Sequence, residues 1–200
     1  MDRALASAYE QARVVTRHHA KTFYFCSFGL PSAIRRHAYA VYACCRTIDD
    51  EIDRAPSPAA IPERVAGLRR FLDGLYHGEI GDPAPRWAAA FQETVRVCDI
   101  PQRFFSDLLD GVEMDRAPVR IETWPELERY CYHVAGVVGL MMTRVFGLRD
   151  RSKEAEAIKL GEAMQLTNIL RDVAEDLRLD RIYLPASMLW IRTAAGLRFG

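Results

Sequence analysis

The sequence predicts a single all-α domain, and three observations carry this prediction. Apolar residues recur at helical spacing along most of the chain, whereas the alternating pattern of a half-buried strand is nearly absent. Signals that begin and end helices accompany these segments. The chain has 200 residues, of which 50% are hydrophobic and 27% charged, as expected of a folded domain with a sizeable core.

The predicted helices follow one another through short connections. The linker Pro56-Ser57-Pro58 ends the second helix, because proline cannot continue a helix. Thr123-Trp124-Pro125-Glu126 reads as a capping box that opens the sixth, and Gly147 suits its end. A last helix is expected from Pro185 onward. In order, the predicted helices span residues 4–19, 30–53, 62–77, 85–98, 100–116, 123–146, 152–177 and 185–200.

Charge and motif content exclude several classes of protein. Lys+Arg and Asp+Glu number 27 each, so the basic excess typical of a nucleic-acid binder is missing. The longest apolar run, 134–142, is far shorter than the roughly 20 residues that span a bilayer, and the N-terminus lacks the regions of a signal peptide. Five scattered cysteines without a CxxC motif indicate a reducing compartment. The absence of ExxH argues against a di-iron bundle. We therefore expect a cytoplasmic protein.

The second predicted helix carries a polar row on an otherwise small or apolar surface. Four residues at spacing i, i+4, i+7 and i+11 share one face: Tyr42, Arg46, Asp49 and Asp53. Apolar neighbours on the other sides predict a buried helix. Taken alone, the Asp49–Asp53 pair near a helix end is typical of a solvated surface.

A later predicted helix repeats this arrangement. Its polar face carries four residues: Gln165, Asn168, Asp172 and Asp176. Buried carboxylates repel one another and require a cation or a proton. Two such rows facing each other across a cavity predict a divalent-metal site, and oxygen donors without histidine or thiolate favour Mg²⁺, with Mn²⁺ as the second candidate. Because Mg²⁺ usually completes its shell with water and phosphate, the pattern predicts a phosphorylated substrate.

Five stretches of the chain resemble the squalene/phytoene synthase family: HHAKTFYFCSFGLP, AVYACCRTIDDEID, DGVEMD, YCYHVAGVVGLM and QLTNILRDVAEDLRLDRIYLP. They occur in the family's order between His18 and Pro185 and cover nearly the whole chain. The resemblance implies an isoprenoid-synthase helical bundle around a deep cavity, with both acidic rows at its mouth. Family members continue for several helices beyond RIYLP, so it also implies that C-terminal helices are missing from residues 1–200.

The resemblance further implies roles for individual residues. Metal binding is implied for Asp49, Asp53, Asn168, Asp172 and Asp176. Contact with diphosphate oxygens is implied for His19, Lys21, Arg46, Arg171 and Arg181. Tyr42 and Gln165 are expected to face the substrate, and the prenyl channel is expected to be lined by Phe23, Tyr130, Val134 and Gly139. Catalysis is expected from the four row aspartates with Tyr42, Arg46 and Arg171. Taken alone, the small residues around Gly139 are typical of close helix packing.

The implied reaction joins two allylic prenyl diphosphates head to head through a cyclopropylcarbinyl diphosphate. The motifs favour two geranylgeranyl diphosphates giving phytoene and diphosphate. The alternative is a squalene or dehydrosqualene synthase that uses farnesyl diphosphate, with NADPH needed only for squalene. A head-to-tail prenyltransferase, a terpene cyclase and a non-catalytic assembly factor fit less well, because TNILRDVAED and RIYLP are present and both acidic rows are intact. Expected partners are prenyl diphosphates and a membrane surface during product release, but no nucleic acid.

Overall fold

The computed structural model describes residues 2–115, 118–148, 150–188, 191–193 and 196–198, and beyond residue 188 it describes the backbone alone. The predicted all-α fold is confirmed, and every predicted helix before Pro185 is present with ends shifted by a few residues. The helices are α1 (Arg3–His19), α2 (Lys21–Cys26), α3 (Ser32–Asp53), α4 (Ile61–Tyr76), α5 (Ala88–Val97), α6 (Gln102–Met114), α7 (Trp124–Cys131), α8 (Val137–Val145) and α9 (Glu154–Arg178). Of the helices described, none is both long and apolar enough to cross a membrane.

Two short strand pairs accompany the helices. β1 (Val119–Arg120) pairs in parallel with β2 (Arg181–Ile182), and β3 (Ile191–Thr193) pairs antiparallel with β4 (Gly196–Arg198). An ion pair between Arg120 and Asp180 reinforces the first pair. β1 and β2 therefore join the segment that follows α6 to the segment that follows α9.

The prediction of a helix from Pro185 to the end of the chain is wrong. Ala186–Met188 form a single 3₁₀ turn, and β3 and β4 follow it. The backbone N–H of Ala186 donates to the carbonyl oxygen of Ile121 at 3.0 Å, so the segment lies along the chain that follows β1 instead of coiling into a helix. Leu189 and Trp190, which fall within the predicted helix, lie outside the described residues.

A π-helical turn, Tyr132–Gly136, interrupts the helix predicted for residues 123–146 and separates α7 from α8. This turn packs closely on α6. The hydroxyl of Tyr132 donates to the carboxylate of Asp107 at 3.0 Å, and a Cβ added at Gly111 would lie 2.8 Å from the Cβ of His133. The short helix α2 lies between the first two predicted helices, where no helix was predicted, and the aromatic residues 23–25 make up half of it.

The main hydrophobic core is built from α1, α3, α4, α5, α6 and α8. Its centre is aromatic: the ring centroids of Phe91 and Phe105 lie 5.0 Å apart in a T-shaped contact, and Trp87 meets Phe91 at 6.0 Å. Burial of such large rings contributes much of the stability of a domain. The core packs against one side of α3 and leaves the polar row of that helix at the edge.

A second, smaller cluster of buried residues lies where β1, α7, α9 and the residue after β2 meet. Its members are Val119, Ile121, Leu127, Tyr130, Cys131, Ile169 and Tyr183. Because it includes residues of both α9 and the β1–β2 connection, this cluster fixes the second polar row relative to the end of α6.

Helix α9 approaches α8 closely at Gly139 and approaches the π-helical turn closely at Gly161. A Cβ at Gly139 would lie 2.3 Å from the carbonyl oxygen of Ala157, and a Cβ at Gly161 would lie 2.3 Å from that of Ala135. The backbones are therefore too close to admit a side chain at either position. The close helix packing that is typical of the small residues around Gly139 is present.

The capping box predicted at the start of α7 is also present. The carboxylate of Glu126 accepts the backbone N–H groups of Glu122 and Thr123 at 2.8 and 3.1 Å. We expect Glu126→Ala to lower the free energy of unfolding by about 1 kcal/mol, because two N–H groups lose their acceptor. Glu126→Gln keeps an acceptor oxygen and is expected to cost much less. Urea denaturation of both variants tests this, and equal losses would contradict it.

Candidate active site

The first polar row lies on α3 as predicted, but its carboxylates are not buried. Asp49 and Asp53 are exposed, while Tyr42 and Arg46 are half-buried, because α3 turns its opposite side to the core. Solvent reaches Asp49, yet the protein surrounds it closely enough that desolvation raises its pKa to about 6. Arg46 opposes this increase and the charge of Asp53 adds to it. The expectation of a buried row is wrong for these two aspartates.

The second polar row lies on α9, where all four of its members are half-buried. The amide of Asn168 donates to Oε1 of Gln165 at 3.5 Å. The guanidinium of Arg171 reaches both carboxylate oxygens of Asp172, at 2.7 and 2.6 Å, and this hydrogen bonding holds the pKa of Asp172 below its usual range. Desolvation, together with the charge of Asp172, raises the pKa of Asp176. Asp176 thus experiences carboxylate repulsion, whereas Asp172 is neutralised by its neighbour.

Helix α9 is exposed along one side, although its apolar circumference predicts a buried helix. Leu160, Met164, Leu170 and Leu177 are 66%, 63%, 66% and 55% exposed. α7, α8 and the π-helical turn pack on the other side of α9, and the described part of the chain places no helix over these four residues. The expectation that this helix is buried all round is therefore wrong for the described structure.

Asp115, the residue that follows α6, is a third acidic position of the site. Its carboxylate lies within electrostatic reach of Asp49 in the first row and of Asp176 in the second. The two rows are therefore linked through Asp115. No role was predicted for Asp115: it ends the DGVEMD stretch, but a single aspartate after a helix has no periodicity to mark it.

Asp115 also binds two tyrosine hydroxyls. Tyr130 of α7 donates to Oδ2 at 3.1 Å, and Tyr183, which follows β2, donates to Oδ1 at 2.5 Å. The two rings stack with centroids 4.8 Å apart. Desolvation raises the pKa of Asp115 even though both hydrogen bonds oppose the increase. Tyr183 is a second residue without a predicted role, and its presence in the RIYLP stretch was the one available signal.

Two arginines present buried nitrogen atoms beside these acids. The Nε atoms of Arg46 and Arg181 are buried and have no hydrogen-bond partner among the residues described. Arg46 pairs with Asp50 through a terminal nitrogen, and Arg181 lies within electrostatic reach of Asp115 and Asp176. An unsatisfied buried donor costs about 1–3 kcal/mol, so both positions are suited to an anionic ligand that supplies an acceptor.

The predicted channel residues lie in different parts of the site. Phe23 of α2 packs against Tyr42 of the first row, with ring centroids 5.9 Å apart. Val134 packs against the second cluster together with Tyr130. Gly139 faces the backbone of α9, where its role in helix packing is evident. A channel role for these residues stays a prediction.

His19 and Lys21 lie at the end of α1 and the beginning of α2, and both are exposed. The ring of His19 contacts that of His18 at 4.7 Å. Nothing in the described contacts connects either residue to an acidic row, so their contact with diphosphate oxygens stays a prediction.

An apolar pocket of about 250 Å³ opens beside the second row. It is lined by Ile169, Val173, Asp176, Leu177, Arg181, Ile182, Tyr183 and Leu184. The charged residues Asp176 and Arg181 give it a polar edge, and the other lining residues are apolar or aromatic. Such a pocket suits a molecule with a charged end and a hydrocarbon tail.

The donor set of the two rows fits a hard divalent cation, because it offers carboxylate and amide oxygens alone. A cation would also relieve the repulsion that raises the pKa of Asp49 and Asp176. Over the residues that the structure describes, no three His, Cys, Asp or Glu side chains are grouped closely enough to hold a metal by themselves. Mg²⁺, which takes part of its shell from water and phosphate, is a cation of this class.

Known proteins are similar in sequence to this chain over most of its length. The chain is 44% identical to the phytoene synthase of Thermus thermophilus over 176 residues, which cover 88% of this chain and 58% of that protein. It is 39% identical to the 15-cis-phytoene synthase of Synechocystis sp. over 194 residues, covering 91% of this chain and 57% of that protein. The chain thus spans less than two thirds of the length of these relatives.

Solved structures share the fold. A crystal structure of a dehydrosqualene synthase in complex with a ligand matches with a TM-score of 0.80 at 36% identity, covering 90% of this chain and 62% of that chain. Squalene synthase HpnC from Alicyclobacillus acidocaldarius matches with a TM-score of 0.83 at 30% identity, covering 94% and 69%. The sequence profile described as squalene/phytoene synthase matches residues 16–196, a span that contains both polar rows and Asp115. The chain therefore belongs to the squalene/phytoene synthase family.

Proposed function

We propose that the protein condenses two allylic prenyl diphosphates head to head through a cyclopropylcarbinyl diphosphate and releases diphosphate. One observation carries the proposal: the unsatisfied Nε atoms of Arg46 and Arg181 belong to side chains within electrostatic reach of carboxylates of the two acidic rows, and Arg181 also lines the apolar pocket. Arginine suits phosphate oxygens, and the pocket suits the apolar chain attached to them.

Mg²⁺ is the proposed cofactor, with Mn²⁺ as the alternative ion. The residues that would hold it are Asp49, Asp53, Asn168, Asp172 and Asp176. When bound, it supplies positive charge that offsets the charge developing on the departing diphosphate. For Asp172 this role requires a partial exchange of its contact with Arg171, whose guanidinium is then available to a phosphate oxygen.

The cationic side chains orient the diphosphate and stabilise it as it leaves. This role is proposed for His19, Lys21, Arg46, Arg171 and Arg181. Charge that is already in place when the bond breaks stabilises the transition state without further reorganisation. Tyr42 belongs to the row on α3 and Gln165 to the row on α9. Both are proposed to contact the substrate.

Aromatic and apolar side chains protect the allylic cation that remains after diphosphate departs. The faces of Phe23, Tyr42 and Tyr130 stabilise positive charge, because the face of an aromatic ring is electron-rich. Apolar walls, including Val134 and Gly139 in the proposed channel, exclude the water that would otherwise quench the cation. The double bond of the second substrate is then the nucleophile that the cation meets.

Phytoene from two geranylgeranyl diphosphates is the proposed product, and the relatives that are phytoene synthases support it. The second candidate is squalene or dehydrosqualene from farnesyl diphosphate, which the two structural neighbours support. NADPH is required only for squalene. We further propose that residues 1–200 form one domain, that the protein is cytoplasmic, and that it contacts a membrane surface during product release.

The deciding experiment incubates the natural full-length protein with Mg²⁺ and labelled geranylgeranyl or farnesyl diphosphate, with and without NADPH, and identifies the lipid by mass spectrometry. We expect phytoene without any reductant, its loss when EDTA removes the metal, and its return when Mg²⁺ is restored. Squalene as the sole product, formed only with NADPH, would overturn the assignment of phytoene and leave the head-to-head reaction standing. A longer linear prenyl diphosphate would instead indicate head-to-tail transfer.

A further inference from the structure

Asp115, Tyr130 and Tyr183 form a hydrogen-bonded group that draws on three separate parts of the fold: the end of α6, helix α7 and the residue after β2. Each carboxylate oxygen of Asp115 accepts one tyrosine hydroxyl, at 3.1 Å from Tyr130 and 2.5 Å from Tyr183. Each oxygen thus uses one of its lone pairs to hold a tyrosine hydroxyl. These contacts indicate that Asp115 holds the two phenols in place.

The rings of Tyr130 and Tyr183 are fixed as a stacked pair. Their planes are inclined by 23°, and the two residues are only 5% and 6% exposed. A phenol has one hydrogen to donate, and each hydroxyl directs that hydrogen at Asp115. Burial raises the pKa of both phenols, so both stay protonated and keep donating. Hydrogen bonding and stacking together determine the orientation of each ring plane.

This group borders the place where a substrate would react. Tyr183 lines the apolar pocket together with Asp176 and Arg181. Asp115 lies within electrostatic reach of Asp49 and Asp176, which belong to opposite rows. The paired rings therefore stand between the charged part of the site and its apolar part.

We infer that Asp115 is a positioning residue that holds Tyr130 and Tyr183 as one aromatic surface toward the allylic chain, an inference that rests on the proposed function. The face of a tyrosine ring stabilises a cation, whereas its edge is electropositive. A ring that loses its hydroxyl acceptor is held by stacking alone and is less restrained against turning its edge to the reacting carbon. Tyr183 accordingly joins the site as a residue that contacts substrate, and Asp115 acts through it and through Tyr130.

Asp115→Asn in the full-length protein is the central test. Asparagine keeps the size of the side chain but has only one acceptor oxygen, so one tyrosine hydroxyl loses its partner. We expect kcat to fall about ten- to a hundredfold while KM for the prenyl diphosphate is unchanged, since the phosphate contacts lie on other residues. Tyr183→Phe is expected to give the same pattern. In the double variant the loss is expected to be smaller than the product of the two single losses, because both changes break one connection.

Asp107→Asn is the matched control. Asp107 lies on α6, the helix that Asp115 follows, and also accepts a tyrosine hydroxyl, that of Tyr132 at 3.0 Å, but it does not hold the stacked pair. Its kcat is expected to stay near that of the wild type. Near-ultraviolet circular dichroism of the tyrosine band gives a readout that does not depend on turnover, and we expect the band to weaken in Asp115→Asn and to weaken less in Asp107→Asn.

Several outcomes would overturn the inference. One is a wild-type kcat and dichroism band in Asp115→Asn. A second is a raised KM with unchanged kcat in the same variant. A third is lost stability with unchanged kcat, which would make the aspartate purely structural. If Asp115→Asn does not fold, Tyr183→Phe decides by the same kcat and KM criteria. A wild-type protein that is inactive on prenyl diphosphates would refute the proposed function, while the dichroism comparison would still test the pairing of the rings.

Discussion

Replacing either Asp49 or Asp172 with asparagine is expected to lower turnover by about a thousandfold or more. Each substitution removes from its row a carboxylate that is proposed to hold the metal at the departing diphosphate. The fold is expected to survive. Desolvation and the charge of Asp53 already raise the pKa of Asp49, so removing its negative charge relieves repulsion in the metal-free protein. Product formation at saturating Mg²⁺, together with thermal denaturation, measures both effects.

Two acidic residues outside the rows provide the controls. Glu51 lies on α3 and pairs with Arg64 at 3.0 Å, and Glu156 lies in the first turn of α9 and pairs with Lys153 at 3.2 Å. Glu51→Gln and Glu156→Gln each remove one charge from the same helices and are expected to leave turnover nearly unchanged, since surface ion pairs contribute little. Near wild-type activity in Asp49→Asn or Asp172→Asn would show that the metal assignment is wrong.

Gly161→Ala is expected to destabilise the protein by about 1–3 kcal/mol. The added Cβ would lie 2.3 Å from the carbonyl oxygen of Ala135, so α9 and the π-helical turn must move apart. Turnover is expected to fall as well, because α9 carries the second row. Chemical denaturation and product assays on the full-length protein measure the two effects.

Gly67→Ala is the matched control for this substitution. Gly67 lies within α4, and a Cβ there meets nothing closer than a terminal nitrogen of Arg70 at 4.0 Å. Alanine is a better helix former than glycine, so this variant is expected to be more stable by about 0.5–1 kcal/mol. The same chemical change should therefore have opposite signs at the two positions. Stabilisation of Gly161→Ala would contradict the close approach of α9 and the π-helical turn.

The helices and the membership of the polar rows could be predicted because both depend on residues that are near in sequence. Helical spacing alone places Asp49 and Asp53 on one face, and the structure keeps them there. Which other element covers a given helix face could not be predicted in this way. Leu160 and Met164 are apolar, yet the described structure leaves them exposed, and periodicity carries no information about the partner of a helix.

The parts that sequence reasoning missed depend on contacts between distant segments. Asp115 and Tyr183 meet because β1 and β2 pair, and neither strand has a length or an alternation that would reveal it. The helix expected from Pro185 fails for a related reason, since the carbonyl oxygen of Ile121 accepts the N–H of Ala186. In both cases a tertiary hydrogen bond overrides the local pattern.

The parallel pair of β1 and β2 can open and close separately from global unfolding, so the assembly of the site depends on this local equilibrium. Two residues from each strand form this connection, and flanking bonds from Val119 N–H to Asp180 and from Ile121 N–H to Ile182 complete it, each at 3.1 Å. Such small units open with free energies far below that of global unfolding. Opening would release Arg181 and Tyr183 together while the helical core stays folded. If these two residues bind substrate as proposed, the apparent Kd would contain the fraction of molecules in which the two strands are closed, and a substitution that loosens the strands would weaken binding without touching the ligand.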